Sequence, residues 1–161
     1  MAMDMFMKLG TISGEAQDTK HKGEIDILAW NWGLHQTGTM HMATGGGTGK
    51  VTVQDLSFTK YSDKASPTIM QFCTKGEHMD KATLTVRKAG GDALEYYTIT
   101  LEDVIISSFS TGGSGGEERF TENVTLNFAK FQVMYQPQNA KGAKEGGPVK
   151  ATWNIPANAE S

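Results

Sequence analysis

Cysteine is almost absent from this chain. Cys73 is the only one, so no disulfide can form within a copy, and the fold suits a reducing cytoplasm or is indifferent to redox state. Arginine is nearly as scarce, with Arg87 and Arg119 the only two. Proteins that track phosphates present a dense basic face. Here 15 Lys plus Arg stand against 18 Asp plus Glu, a net charge of −3, which argues against a nucleic-acid partner. Long apolar runs are missing too, so membrane insertion is not expected. The amino terminus, MAMDMFMKLG, carries Asp4 and Lys8 inside its apolar stretch. It has neither the uninterrupted apolar segment nor the cleavage site of a signal peptide.

What is abundant is glycine placed between apolar runs. Thirteen of the 19 glycines fall in four clusters, at 45–49, 90–91, 112–116 and 142–147, where they read as turns. The segments between them alternate as strands do. Met5, Met7 and Leu9 alternate with Asp4, Phe6 and Lys8; Ile25, Ile27 and Ala29 with Asp26, Leu28 and Trp30; Ala82, Leu84 and Val86 with Thr83, Thr85 and Arg87. One strand is expected from Val51 through Phe58, with a change of apolar parity that suggests a bulge. Further strands are expected at 94–101, 104–109, 124–135 and 149–155. In 124–135 the apolar face changes sides near Phe128, from Val124, Leu126 and Phe128 to Ala129, Phe131, Val133 and Tyr135. Either a bulge swaps the faces there or both faces are covered, and a second copy is the simplest cover. One short helix is expected, with Ser66 as N-cap, Pro67 in first position and Gly76 just past the end. Ile69, Phe72 and Cys73 would form its apolar stripe. The 161 residues are thus read as a single domain, residues 1–161. It is mainly β: a closed or nearly closed β-barrel or sandwich with one short helix.

No pattern of catalytic or ligand-binding residues emerges. The run Gly45-Gly46-Gly47-Thr48-Gly49-Lys50 lacks the first glycine of a phosphate loop and the Ser or Thr after its lysine. It also leads into a strand, where the phosphate loop leads into a helix. His21, His35, His41 and His78 show no metal-ligand spacing and are read as loop or turn residues. Cys73 and His78 are five residues apart with a glycine between, so Cys73 reads as a core residue. Ser114 lies in Gly113-Ser114-Gly115, short of a nucleophile elbow. The expectation is a protein that is not an enzyme and needs no metal or cofactor. Trp30 and Trp32 share one face of a strand and are read as core anchors. Ala29 and Asn31 then lie on the opposite, polar face. Were the tryptophans exposed instead, they and Trp153 would suit a β-sandwich carbohydrate-binding module.

Seven segments carry a further signal by their order and spacing. They are Asp4-Met5-Phe6, EIDILAWNWG (24–33), GKVTVQDLSFTKYSDKASP (49–67), TVRKAGG (85–91), STGGSGGEERFTENVTLNFA (110–129), YQPQ (135–138) and GGPVKATWNI (146–155). Together they resemble the Hcp family, the haemolysin-coregulated proteins of bacterial type VI secretion systems, over nearly the whole chain. The resemblance implies a mainly β fold, a β-barrel of two sheets with one short flanking α-helix, that assembles into hexameric rings. The rings stack into a tube, similar in design to a phage tail tube, that a contractile sheath drives out of the cell behind a spike protein. It further implies small effector proteins carried in the lumen, a cytoplasmic life before firing, and release without a cleaved signal peptide. Within that frame Ala29 and Asn31 are expected to face the pore. The loop of Thr44, Gly45, Gly46, Gly47, Thr48 and Gly49 is expected to contact the next ring. A phage tail tube subunit would share the same architecture.

Overall fold

The computed structural model describes residues 3–38, 40–41, 49–89 and 93–161. Its strands are β1 (Met3–Leu9), β2 (Ile25–Asp26), β3 (Ala29–Asn31), β4 (Leu34–His35), β5 (Thr52–Val53), β6 (Leu56–Tyr61), β7 (His78–Lys88), β8 (Glu95–Gly112), β9 (Thr121–Tyr135) and β10 (Val149–Asn154). The helix α1 (Ala65–Lys75) links β6 to β7. Eight strands form one antiparallel sheet in the order β2-β1-β7-β8-β9-β6-β3, with β10 also paired to β9. The β4–β5 pair forms a small second sheet.

The sheet curls until its ends meet. β2 and β3 lie at opposite ends of the strand order yet are separated by only Ile27 and Leu28. The Ile27 amide donates to the Met5 carbonyl of β1 at 3.0 Å, and the Leu28 amide donates to the Thr59 carbonyl of β6 at 2.8 Å. Residues 25–31, expected as one strand, are therefore two short strands on either side of a seam.

A crease across three strands produces the curl. In β9 the buried positions run Val124, Leu126, Phe128 and then shift to Phe131. In β8 they run Ile99, Leu101 and then shift to Val104, Ile106; in β7, Met79 shifts to Ala82, Leu84, Val86. The shifts are in register, since Leu101 faces Phe131, Val104 faces Phe128 and Met79 faces Val104. At the crease Asp103 takes a left-handed φ of 53°. When neighbouring strands change sides at one level, the sheet turns a corner and both halves keep their apolar faces inward. The two sheets implied by the resemblance are thus two halves of one sheet, closed on a single core that includes Leu84, Leu101, Phe58 and Leu126. The face swap expected near Phe128 is present without a register shift there. The bulge lies instead in β8 between Ile106 and Ser108.

Two other expectations are corrected. The parity change between Val53 and Leu56 marks the chain leaving the β4–β5 pair and entering the main sheet, not a bulge in one strand. The helix begins at Ala65, so Ser66 and Pro67 lie inside its first turn and Ser66 is no cap. Asp63 holds that end, its Oδ1 accepting from the Ala65 amide at 2.9 Å. Gly76 does terminate the helix, at φ 61°, and its amide and that of Glu77 reach back to the carbonyls of Cys73 and Phe72. Ile69 is fully buried, with Phe72 and Cys73 packed against the core.

Candidate assembly and lumen surfaces

β3 places Ala29 and Asn31 on the outside of the barrel, where both are exposed. Trp30 between them packs on Tyr97, with ring centroids 5.8 Å apart. Trp32 meets Phe128 and Phe131 at 6.2 and 4.9 Å and donates its indole N–H to the Gln54 carbonyl at 2.8 Å. Both indoles are half-buried against the core, which removes the flat exposed platform a sugar ring would need.

Register extends the polar face around Asn31 across four strands. Ala29 lies beside Thr59, Asn123 and Ser110, and Asn31 beside Ser57, Thr125 and Ser108. These side chains bond to one another: Thr59 Oγ1 donates to Asn123 Oδ1 at 2.8 Å, and Ser107 and Ser108 lie 2.7 and 2.6 Å from Thr125 Oγ1. Beside them Asp55 accepts from Ser107 at 2.7 Å and from Asn127 at 2.8 Å.

A different surface lies at β10, which has no strand neighbour besides β9 among the described residues. Val149 is 63 % exposed there, and its register partner Tyr135 is 44 % exposed. A groove of about 420 Å³ lies nearby, lined by Leu34, Val51, Phe131, Ala151 and Trp153 among others. Trp153 Nε1 is buried without a hydrogen-bond partner among the described residues, a costly state for a donor.

Of the loop candidates, only Gly49 belongs to the described residues, where it is exposed. Thr44, Gly45, Gly46, Gly47 and Thr48 lie outside them. Two of the four histidines differ from the expected loop or turn placement, while His21 and His41 keep it. His35 lies in β4 and His78 opens β7, so neither is a loop residue. His21 is buried, its Nδ1 2.9 Å from Glu24 and its Nε2 2.6 Å from Glu95. Its ring stacks on Phe6 at 4.4 Å, and the Arg87 guanidinium sits 4.9 Å from the Phe6 ring centroid. Arg87 also binds Asp18, which holds the Asp18 carboxyl below the usual carboxylate range. This cluster fastens the segment after β1 over the outer face of β1 and β7. Its path is tight, because a Cβ on Gly14 would lie 2.4 Å from the Glu24 carbonyl oxygen.

Lys60 and Glu122 were not foreseen as buried, yet neither side chain is more than 1 % exposed. Lys60 Nζ donates to Glu122 at 2.8 Å, to Ser66 at 3.0 Å and to the Tyr61 carbonyl at 2.9 Å, and pairs with Asp63 at 2.9 Å. The signal was present: Lys60 continues the inward parity of Leu56 and Phe58, and Glu122 that of Val124 and Leu126. Among the described residues, no three His, Cys, Asp or Glu side chains converge as a metal site.

The comparisons with known proteins agree with one another. The model of a family described as "Type VI secretion system effector, Hcp" matches residues 6–135. Protein hcp1 of Pseudomonas aeruginosa is 61 % identical over the full length of both chains. Among solved structures, Hcp1 from Salmonella typhimurium superposes with a TM-score of 0.82 at 39 % identity, covering 100 % of both chains. A structure described as a type six secretion system protein does so with a TM-score of 0.92 at 29 % identity, over 99 % of this chain and 100 % of the other.

Proposed function

Because this chain belongs to the Hcp family of type VI secretion proteins, we propose that it is the subunit of a secreted tube. Six copies close into a ring, rings stack, and small effector proteins travel in the lumen. Its partners are copies of itself and the spike, sheath and effectors of the secretion system. It waits in the cytoplasm and leaves the cell when the system fires.

The observation that carries this reading is the open border at β10. A strand edge that has no partner among the described residues, carrying Val149 beside Tyr135 of β9 and next to an apolar groove, invites association. A head-to-tail contact whose rotation closes hides such borders on every copy at once. On the same reading, Ala29 and Asn31 face the pore and the 44–49 loop meets the next ring.

Native mass tests the proposal. A ring of six 17.4 kDa chains has a mass of about 104 kDa, and electron micrographs of it show annuli with a central hole. Val149→Glu, which puts a charge into the exposed border, should shift the distribution toward smaller species. A wild-type chain that remains 17.4 kDa at high concentration sinks the ring and the tube together.

A further inference from the structure

The segment between β1 and β2 is a strap folded back on itself. The Gly14 amide donates to the Gly23 carbonyl at 2.7 Å, the Ala16 amide to the Glu24 carbonyl at 2.9 Å and the Gly23 amide to the Ala16 carbonyl at 3.0 Å. His21 lies in the loop these bonds enclose, and it is buried. Both of its ring nitrogens meet a carboxyl group. Nδ1 is 2.9 Å from Glu24 Oε2 on the strap itself, and Nε2 is 2.6 Å from Glu95 Oε1 at the start of β8. Stacking on Phe6 of β1 fixes the plane of the ring between them.

A carboxylate only accepts hydrogen bonds, and a neutral imidazole has a single N–H to give. With a neutral ring, one of the two contacts sets a nitrogen lone pair against a carboxylate oxygen. Imidazolium, with an N–H on each nitrogen, satisfies both. The surrounding charges favour the same state. The strap carries Asp18 and Glu24, with Lys20 and Lys22 turned to solvent; β8 supplies Glu95, β7 supplies Arg87 and β1 supplies Asp4. Arg87 is engaged by Asp18 and Asp4. Among the described residues, Glu24 and Glu95 pair with His21 alone.

We propose that His21 is a proton-operated clasp. While the ring carries its second proton, it ties the strap to β8. When that proton leaves, one carboxylate contact turns repulsive and the strap loosens around residues 14–24. The closed strap binds the proton more tightly than the open one, so rising pH favours opening. The Arg87–Asp18 pair stays fastened meanwhile, because their hydrogen bond holds the Asp18 carboxyl below its usual range and the Arg87 guanidinium above its own. The strap covers Phe6, Thr85 and Arg87 and leads directly into β2, at the seam of the barrel. The device belongs to the single copy and does not depend on ring formation.

The test follows the intact protein by NMR between about pH 5 and about pH 9. Isotopically labelled histidine reports the ring directly. Both His21 nitrogens should carry a proton at the acid end, and one should lose it as the pH rises. Over the same step the Gly14, Ala16 and Gly23 amides should lose about tenfold or more of their protection against hydrogen exchange, taken relative to the unfolded chain at each pH. The amides of the β8–β9 ladder should keep theirs. Glu95→Gln supplies an amide that can donate to the bare nitrogen, so its strap should stay protected throughout. Glu24→Gln does the same at the other nitrogen and serves if Glu95→Gln does not fold. A single protonated ring nitrogen at the acid end means that a carboxyl group holds the other proton, and it overturns the proposal. So does strap protection that is equal at both ends of the range, or an equal loss in the β8–β9 ladder. A folded glutamine variant whose strap still loosens with rising pH overturns it as well.

Discussion

Lys60 and Glu122 show how much one pair of residues decides. Each sits at an inward position of its strand, where an apolar residue would ordinarily pack, and each is almost completely buried. A buried ion pair survives only when every donor and acceptor is matched. Here Ser66, Asp63 and the Tyr61 carbonyl complete the set around Lys60, while Ser66 Oγ also donates to Glu122 at 2.6 Å. The network joins β6, β9 and the start of α1, and so fixes how the helix sits on the barrel. Lys60→Met should lower stability by about 3–5 kcal/mol, because it strands the Glu122 carboxylate. The double variant Lys60→Met, Glu122→Leu should recover most of that loss. Denaturant unfolding of the four proteins in the cycle checks this; an equal or greater loss in the double variant contradicts it.

Among the elements, the long strands were legible and their interruptions were not. The strands at 94–101 and 104–109 expected from the sequence are one strand, Glu95–Gly112. Asp103 takes a left-handed φ inside it without ending it, because hydrogen-bonded partners on both sides carry the ladder past the crease. The reverse holds for residues 25–31, where an unbroken alternation is divided between two neighbours by the seam. Alternation reports which face a residue takes. It does not report which strand lies beside it, since that depends on residues far away in sequence. The glycine loop at 44–49 belongs to this scale as well. It precedes β5 in the chain, and among the described residues β5 pairs with β4, outside the main sheet. Deleting 44–49 should therefore leave the barrel and the single ring intact and abolish stacking into tubes. Negative-stain microscopy of the variant distinguishes the outcomes, and tubes of normal length reject the stacking role.

At the scale of the whole molecule, the segment between β1 and β2 acts as a strap. It buries Phe6, Thr85 and Arg87 on what would otherwise be the open outer face of β1 and β7, and the contacts of Arg87 with Asp18 and Asp4 and of His21 with Glu24 and Glu95 anchor it. These clasps introduce a dependence on acid. The Arg87 hydrogen bond holds the folded Asp18 carboxyl below its usual range. Protons consequently bind the unfolded chain more readily. The stability this confers is complete above the unfolded-state value of about 4, and is lost as pH falls through the lower folded value. Arg87→Gln should lower the melting temperature near neutrality and flatten its fall as the pH drops below about 4. Parallel melting curves of the two proteins across that range would show that Asp18 contributes nothing.

The sequence alone determined the β class, the turns at 112–116 and 142–147 and the helix stop at Gly76, because these follow from local chemistry: alternation, glycine conformational freedom and capping. It also put Ala29 and Asn31 on one face and the tryptophans on the other, since a strand has a fixed period of two. The tertiary structure decided which edges meet at the seam and where the sheet creases. It also decided that charges at 60 and 122 belong inside and that an isolated histidine at 21 is buried as an anchor of the strap. Those outcomes depend on pairing between segments many residues apart, where the energy of a contact exists only once the sheet has closed and brought its partner into reach.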